Sequence, residues 1–167
     1  LNGTKNWITN GGRADIYIVI AQTNRDKGHK GINAFIVEKG MPGFEIGPKE
    51  DKLGIRGSDT HTLQFNDVKV PKENRIGDDG FGFKFAMKTL SGGRIGIAAQ
   101  ALGIASGAYD LALKYSKERK AFGTEIHNHQ AIAFKLADMY TEIEAARHMV
   151  MKAAWDKDNG HNYDLSS

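Results

Sequence analysis

The sequence predicts an α+β protein in which an antiparallel, β-barrel-like domain precedes part of an up-and-down helical bundle. Up to about Val70, short apolar stretches with strand period alternate with turns rich in Gly, Pro, Asn and Asp. After Pro71 no proline occurs, and two long stretches carry apolar residues at helical spacing. Because the pattern changes near residues 71–80, we predict a β domain over 1–75 and a helical domain over 76–167.

The composition bounds the function classes. With 167 residues, 40% hydrophobic and 26% charged, the chain is typical of globular proteins. It contains no cysteine, which excludes disulfides, thiolate catalysis and cysteine-based zinc sites. The net charge of +3 is scattered among acids, so no nucleic-acid partner is expected. His127 and His129 lie two apart without a carboxylate cluster, which predicts no metal site. The start at Leu1 suggests part of a longer protein.

The first strand is predicted at Trp7-Ile8-Thr9, since aromatic and β-branched residues suit a pleated surface. Asn10-Gly11-Gly12 is the turn that ends it. On local pattern alone, the tryptophan needs no role beyond that of a strand residue. Four further strands are predicted within DIYIVIAQT, GINAFIVEKG, FEIGP and HTLQFNDVKV.

Two long helices follow, each with an apolar stripe at spacings of three and four. The first stripe is Ile97, Ala101, Ile104, Ala108, Leu111 and Tyr115, and the second is Ile132, Leu136, Met139, Ile143, Ala146, Val150 and Ala153. With KAFGTEIHNHQ as a polar loop between them, the helices should pack antiparallel along these stripes. Small residues in the first helix allow close approach of another helix. No membrane span is expected, because Arg94, Gln100 and Asp110 interrupt its apolar run.

Several blocks carry a family resemblance. WITNGG, KLGIRGSDT, GFGFKFAMKTL, GRIGIAAQALGIASGAYDLALKYSKERKAFG and HQAIAFKLADM occur in this order along the chain. They resemble the acyl-CoA dehydrogenases, most closely the short-chain or butyryl-CoA branch. The resemblance covers essentially the whole chain and implies part of the middle β domain joined to the first two helices of the C-terminal domain.

The resemblance implies an FAD site at WIT. In the family, the counterpart of Trp7 packs on the isoalloxazine ring, Ile8 belongs to the same motif, and the hydroxyl of Thr9 hydrogen-bonds near flavin N5. An aromatic face shields the reduced flavin from water, and a neutral hydroxyl adjusts N5 without adding charge.

A second set of FAD contacts is implied near ERKAFG. There the counterparts of Arg119 and Phe122 reach the FAD of a neighbouring subunit, the arginine at its pyrophosphate. The counterparts of His129 and Gln130 contact the same FAD. Without the resemblance, these residues would indicate only a solvated helix end and surface polar groups. Some relatives have threonine where this chain has Ala121.

The resemblance also implies an acyl-CoA site that includes Arg94, with an aspartate three residues earlier in the family. Here that position is Ser91, so a charge is missing. Thr23 corresponds to a residue that touches CoA in some relatives. The structural alternative for Arg94 is an ion pair with Glu142 or Glu144 on the second helix.

The family reaction needs a carboxylate base, commonly a glutamate in a YEGT motif near the C-terminus. In the isovaleryl-type and long-chain branches it immediately precedes the arginine, where this chain has Gly93. We therefore expect no catalytic residue within these 167 residues and the base in a later part of the protein.

The implied activity is FAD-dependent α,β-dehydrogenation of a short-chain acyl-CoA, with electrons passed to an electron-transfer flavoprotein. A homotetramer built as a dimer of dimers is implied as well. The location would be cytoplasmic in a bacterium and the mitochondrial matrix in a eukaryote. Alternatives are an acyl-CoA oxidase or related flavin oxidase, and a non-catalytic flavin- or CoA-binding protein of the same fold.

Overall fold

The computed structural model describes residues 1–163. The chain forms two compact units, which divide between Met87 and Lys88. The first unit contains two three-stranded sheets, and the second contains most of the first long helix, a short hairpin and all of the second long helix. We call them the β unit and the helical unit. The α+β class that the sequence predicts is confirmed.

The β unit consists of two three-stranded antiparallel sheets. One has the order β1-β5-β4 and the other β2-β3-β6. The strands are β1 (Gly3–Thr9), β2 (Ile16–Gln22), β3 (Ile32–Glu38), β4 (Phe44–Lys49), β5 (Thr60–Phe65) and β6 (Arg75–Ile76). Within residues 1–163 the sheets do not close into a barrel, so the barrel-like expectation is corrected to two open sheets.

The core of the β unit forms where inward-facing residues of the strands meet. Its buried members are Tyr17, Val19, Val37, Phe44, Leu63, Phe65 and Val68. The Phe44 ring stands edge-on to Tyr17 at 4.9 Å and stacks on Phe65 at 5.0 Å, measured between ring centroids. Along β2 the alternation is clear, because Tyr17 and Val19 are buried whereas Ile16 and Ile18 are exposed. This core supports β1, which carries Trp7.

The helices are α1 (Gly82–Glu118) and α2 (Gln130–Asp158). Between them the chain does not form the predicted loop throughout, because β7 (Lys120–Ala121) and β8 (Thr124–Glu125) pair as a tight hairpin. In the helical unit the two helices run antiparallel. Tyr109 contacts Tyr140 with ring centroids 5.7 Å apart, and Arg147 donates to the Ser106 hydroxyl over 3.3 Å.

The face of α1 that meets α2 differs from the predicted stripe. Ile97, Ile104, Leu111 and Tyr115 are each more than half exposed. The facing surfaces instead border a cleft of about 390 Å³, lined by Ala98, Ala101, Leu102 and Ala105 of α1 and by Glu142, Ile143, Ala146 and Val150 of α2. By length and composition alone α1 would also suffice to cross a membrane, a criterion that core helices of other proteins meet too.

Candidate functional site

Trp7 lies in a β-bulge at the surface of the β unit. Lys5 pairs with Leu63 and Ile8 with His61, so two residues of β1 stand opposite Thr62 alone. The backbone of Trp7 has φ 55°, a left-handed conformation that is rare for a bulky side chain, and its side chain is 74% exposed. Such a conformation costs about 1–3 kcal/mol and tends to occur at functional sites. The bulge therefore holds an aromatic ring outward against a local energetic cost.

The rest of the WIT motif borders an open cleft in the β unit. Ile8 and Thr9 line one side, and the outward isoleucines of β2 line the other, in a cleft of about 450 Å³. Ile8 also packs against the buried core, whereas Thr9 is exposed and pairs with Thr60 on β5. The cleft thus combines an apolar wall with the Thr9 hydroxyl, and Lys5, Asn10 and Tyr17 line it as well. A mostly apolar cleft with a few polar groups is typical of sites for small ligands.

The Asn10-Gly11-Gly12 turn is fastened to the segment that precedes β5. The Asn10 amide donates to the Asp59 carbonyl at 2.8 Å, and the Gly12 amide donates to the Asp59 carboxylate at 2.9 Å. The Tyr17 hydroxyl donates to the Gly11 carbonyl at 2.7 Å. A Cβ atom on Gly12 would lie 2.6 Å from the His61 ring. The second glycine is therefore required by a close approach, which the turn pattern alone does not reveal.

Asp59 and His61 form an ion pair that the sequence analysis missed. His61 Nε2 lies 2.9 Å from Asp59 Oδ1, and His61 Nδ1 lies 2.7 Å from the Gly47 carbonyl oxygen. The hydrogen bond to Gly47 is the largest cause that raises the pKa of His61, and the Asp59 carboxylate adds to it. Burial raises the pKa of Asp59, but hydrogen bonds from His61 and Gly12 outweigh it and lower the pKa. Two titratable residues two positions apart, at the start of β5, were the available signal in the sequence.

In the helical unit, Phe122 lies at the tip of the β7–β8 hairpin. Phe122 has φ 53° and Gly123 has φ 83°, as in the two-residue turns that favour Asn-Gly. The Phe122 side chain is 98% exposed, and its ring stands edge-on to His129 at 6.1 Å. His129 Nε2 lies 3.0 Å from the Ala121 carbonyl oxygen, a backbone contact that an alanine keeps. A second exposed aromatic is thus held in a strained turn.

Arg119 lies between the end of α1 and the first residue of β7. Its amide donates to Tyr115 at 2.9 Å and its carbonyl accepts from Ile126 at 2.9 Å, so its backbone is fixed. Its side chain is exposed, and within residues 1–163 no carboxylate pairs with it. Gln130, the first residue of α2, is exposed as well. The structure therefore brings Phe122 and His129 into contact and leaves the guanidinium available to an anion.

Arg94 is exposed on α1, three residues after the half-buried Ser91. Across the described part of the chain Arg94 has no ion pair. Glu144, one of its two suggested partners, pairs with Arg147 at 3.0 Å. Gly93 is exposed with open space around it. Residues 1–163 hold no cluster of three potential metal ligands.

Thr23 uses its hydroxyl inside the β unit. It donates to the Gly31 carbonyl at 3.0 Å and accepts from the Asn33 side chain at 2.8 Å. Asn33 is 1% exposed and also bonds Asp79 and Gly80. The hydroxyl of Thr23 therefore acts as both donor and acceptor in the contacts that join the end of β2 to the start of β3.

Both units match domains of known proteins. Residues 1–68 match the acyl-CoA dehydrogenase middle domain, and residues 80–165 match the acyl-CoA dehydrogenase C-terminal domain. The chain is 58% identical to the short-chain specific acyl-CoA dehydrogenase of Megasphaera elsdenii over 167 residues, all of this chain and 44% of that protein. It therefore spans less than half the length of this relative.

Solved structures agree. Butyryl-CoA dehydrogenase from Megasphaera elsdenii superposes with a TM-score of 0.91 at 58% identity, over 99% of this chain and 43% of that chain. The complex of PigA with FAD and proline superposes with a TM-score of 0.95 at 32% identity, over 99% of this chain and 43% of that chain.

Proposed function

Because the chain belongs to the acyl-CoA dehydrogenase family, as its motifs predicted, we propose that the full-length protein is an FAD-dependent dehydrogenase of short-chain acyl-CoA thioesters. The observation that carries the proposal is Trp7, exposed at the head of WIT and held there by a bulge with φ 55°. The 58% identity to a short-chain specific relative supports the substrate class. The product would be the trans-2-enoyl-CoA.

The residues of the β unit fit one side of a flavin. Bound FAD would accept the β hydrogen of the thioester as hydride. Trp7 would cover part of the isoalloxazine and exclude water, with Ile8 supporting the strand from the core. The exposed hydroxyl of Thr9 would hydrogen-bond near N5. A neutral donor there orients the ring without opposing the charge that develops on it.

The hairpin of the helical unit fits a second part of FAD. Arg119 would bind the pyrophosphate, because its five donors match phosphate oxygens and no described carboxylate competes for them. Phe122, supported by His129, would pack on the same cofactor, and Gln130 would donate beside it. We propose that this FAD belongs to a neighbouring subunit of a homotetramer, a dimer of dimers.

The acyl-CoA would be held partly by Arg94, whose charge is not neutralised by the described residues. Ser91 lies on the same side of α1 and supplies a hydroxyl where relatives supply a carboxylate, and Thr23 is the weakest of the three candidates because its hydroxyl serves the fold. Gly93 cannot take a proton. We therefore place the base that removes the α proton outside these 167 residues.

The test uses the full-length protein loaded with FAD. Trp7→Ala should weaken flavin retention or change the flavin spectrum, whereas Trp155→Ala in the helical unit, a matched exposed tryptophan, should not. Anaerobic butyryl-CoA should bleach the visible flavin band, and an electron-transfer flavoprotein should restore it. A full-length protein that binds no FAD would contradict the proposal, and rapid restoration by oxygen alone would indicate a flavin oxidase.

A further inference from the structure

Both bulges that flank the central strand β5 end at one residue. In β1, the bulge that contains Trp7 closes where Ile8 pairs with His61. In β4, a second register shift closes where Lys49 pairs with His61. Thr62 is the residue opposite the extra residues on both sides. His61 is therefore the regular ladder position at which both bulges close, on the opposite side of Thr62 from Leu63.

The side chain of His61 adds bonds to this backbone role. Its two ring nitrogens meet the Gly47 carbonyl oxygen of the β4 bulge and the Asp59 carboxylate. Neither partner carries a hydrogen, because a carbonyl and a carboxylate are acceptors only. Both ring nitrogens can donate at once only in the imidazolium form, so the two contacts are complete only when His61 is protonated. With 14% and 18% of the His61 and Asp59 side chains exposed, the pair is largely covered.

Asp59 extends the pair to the turn that follows Trp7. Its second carboxylate oxygen accepts the Gly12 amide and its carbonyl accepts the Asn10 amide. The turn packs so closely that a Cβ on Gly11 would lie 2.9 Å from His61 Cβ. The β1 bulge, the turn after it and the β4 bulge thus converge on two side chains.

We propose that Asp59 and His61 are a positioning pair that holds the Trp7 bulge, and with it the tryptophan ring, in the orientation that receives the flavin. The proposal rests on the proposed function, since the flavin is the ligand that the ring would contact. Neither residue touches the reacting atoms. Their effect would reach Trp7 through Ile8, which pairs with His61, and through the glycine turn that follows β1.

The charges around the pair set its pH dependence. Asp59 favours the imidazolium, whereas Lys49 of β4 opposes it, and the hydrogen bond to Gly47 is the largest cause of the raised pKa of His61. On the turn side stand the hydroxyl of Tyr17 and the ammonium of Lys39, which donates to the Gly12 carbonyl at 2.9 Å.

The sign follows from these shifts. Because the folded pKa of His61 is raised, its bonds are complete below the ordinary histidine pKa and are lost as the pH rises through the raised value. The lowered pKa of Asp59 keeps its carboxylate charged until the pH falls through that lowered value. The pair is therefore complete between the lowered pKa of Asp59 and the raised pKa of His61, and it is lost as the pH leaves this window on either side.

The experiment uses the full-length, FAD-loaded protein and two readouts between about pH 5.5 and about pH 9, a range that contains histidine titration. Nitrogen NMR of labelled histidine reports the protonation of the His61 ring, assigned by its loss in His61→Gln. Visible circular dichroism reports the surroundings of the flavin. We expect both to change with one common midpoint, above that of an ordinary histidine.

Three variants separate positioning from mere structure. Asp59→Asn keeps an acceptor for Gly12 but removes the charge, so the common midpoint should move towards lower pH. His61→Gln should abolish the transition and weaken FAD binding about fivefold, the size expected from one lost hydrogen bond. His161→Gln, which alters a second His–Asp pair in the helical unit, should keep the transition unchanged.

A His61 ring that titrates at or below the midpoint of an ordinary histidine, or a dichroism transition that survives His61→Gln, would overturn the proposal. So would a ring titration that leaves the flavin signal flat. A protein that binds no FAD would instead overturn the proposed function. The ring spectra, together with amide exchange of residues 5–13, need no flavin and would still decide whether the pair holds the bulge.

Discussion

The two units hold their candidate FAD residues in different ways. In the β unit, Trp7 depends on contacts distant in sequence, namely the ladder to β5 and the ion pair of Asp59 with His61. In the helical unit, Phe122 and Arg119 depend on a hairpin and a helix end, all within a few residues. The β unit therefore fixes its candidate residue through contacts between distant parts of the chain, whereas the helical unit fixes its candidate residues through local structure.

The largest expected effect breaks that scaffold. Leu63 is 2% exposed and pairs beside both bulges, so Leu63→Ala should lower the free energy of unfolding of the β unit by about 2–5 kcal/mol. Ile104→Ala, at a residue of α1 that is 68% exposed, should change stability by less than about 0.5 kcal/mol. Urea unfolding of the 167-residue chain measures both. Equal losses would contradict the contrast between the units.

Much of the fold could be predicted because it is encoded locally. The alternation in DIYIVIAQT marks β2, and the change of period after Pro71 marks the helices. The bulge at Trp7 could not be predicted, because register depends on how β1 meets a strand more than fifty residues later. The pair of Asp59 with His61 could not be predicted for the same reason, since its other partners, Gly12 and Gly47, are distant in sequence.

The orientation of α1 shows a second limit. Spacings of three and four define an apolar stripe but do not say which neighbour it faces. Here the branched residues Ile97 and Ile104 are exposed, while alanines of α1 border the cleft towards α2. Several glycines of α1, such as Gly103, likewise face open space within the described structure. The candidate site residues came from motif resemblance, and their roles stay predictions.

The next effect concerns the helical unit's charge. Arg119→Ala in the full-length protein should weaken FAD binding by about 1.5–3 kcal/mol, the worth of a hydrogen bond to a charged group. Arg94→Ala, at another unpaired arginine of the same unit, should leave FAD affinity unchanged. Flavin retention on dilution measures this.

Mixed subunits sharpen the same prediction. If Arg119 serves the neighbouring subunit's FAD, a heterodimer of Arg119→Ala with Trp7→Ala should recover one intact flavin site. If both residues serve the same subunit's FAD, each site of the mixed dimer loses one contact and none is recovered.

A smaller effect separates stability from function in the hairpin. Phe122 occupies a left-handed position that Asn tolerates better, so Phe122→Asn should stabilise the helical unit by about 0.5–1 kcal/mol. The same change removes an exposed ring and should weaken FAD binding in the full-length protein. Thermal unfolding measures the change in stability, and flavin titration measures the change in FAD binding. A variant that is destabilised, or that binds FAD normally, would show that the strain at Phe122 has no functional counterpart.

The smallest effect tests whether an ion pair made within one helix matters to the site. Asp156 is 4% exposed, and both of its carboxylate oxygens accept from Lys152 one helical turn earlier, at 2.8 and 2.6 Å. The hydrogen bond from Lys152 is the largest cause of the lowered pKa of Asp156. The contribution of this ion pair to stability is therefore present at neutral pH and lost as the pH falls through the lowered pKa of Asp156.

Lys152→Met should flatten the acid dependence of the melting temperature, whereas Lys135→Met on the exposed face of α2 should not. Neither change should alter FAD affinity, in contrast to His61→Gln, because within residues 1–163 the side chains of Lys152 and Asp156 bond only within α2 and to His161 at its end. A flavin affinity that falls in Lys152→Met would mean that the local contacts of the helical unit support the site as the distant contacts of the β unit do.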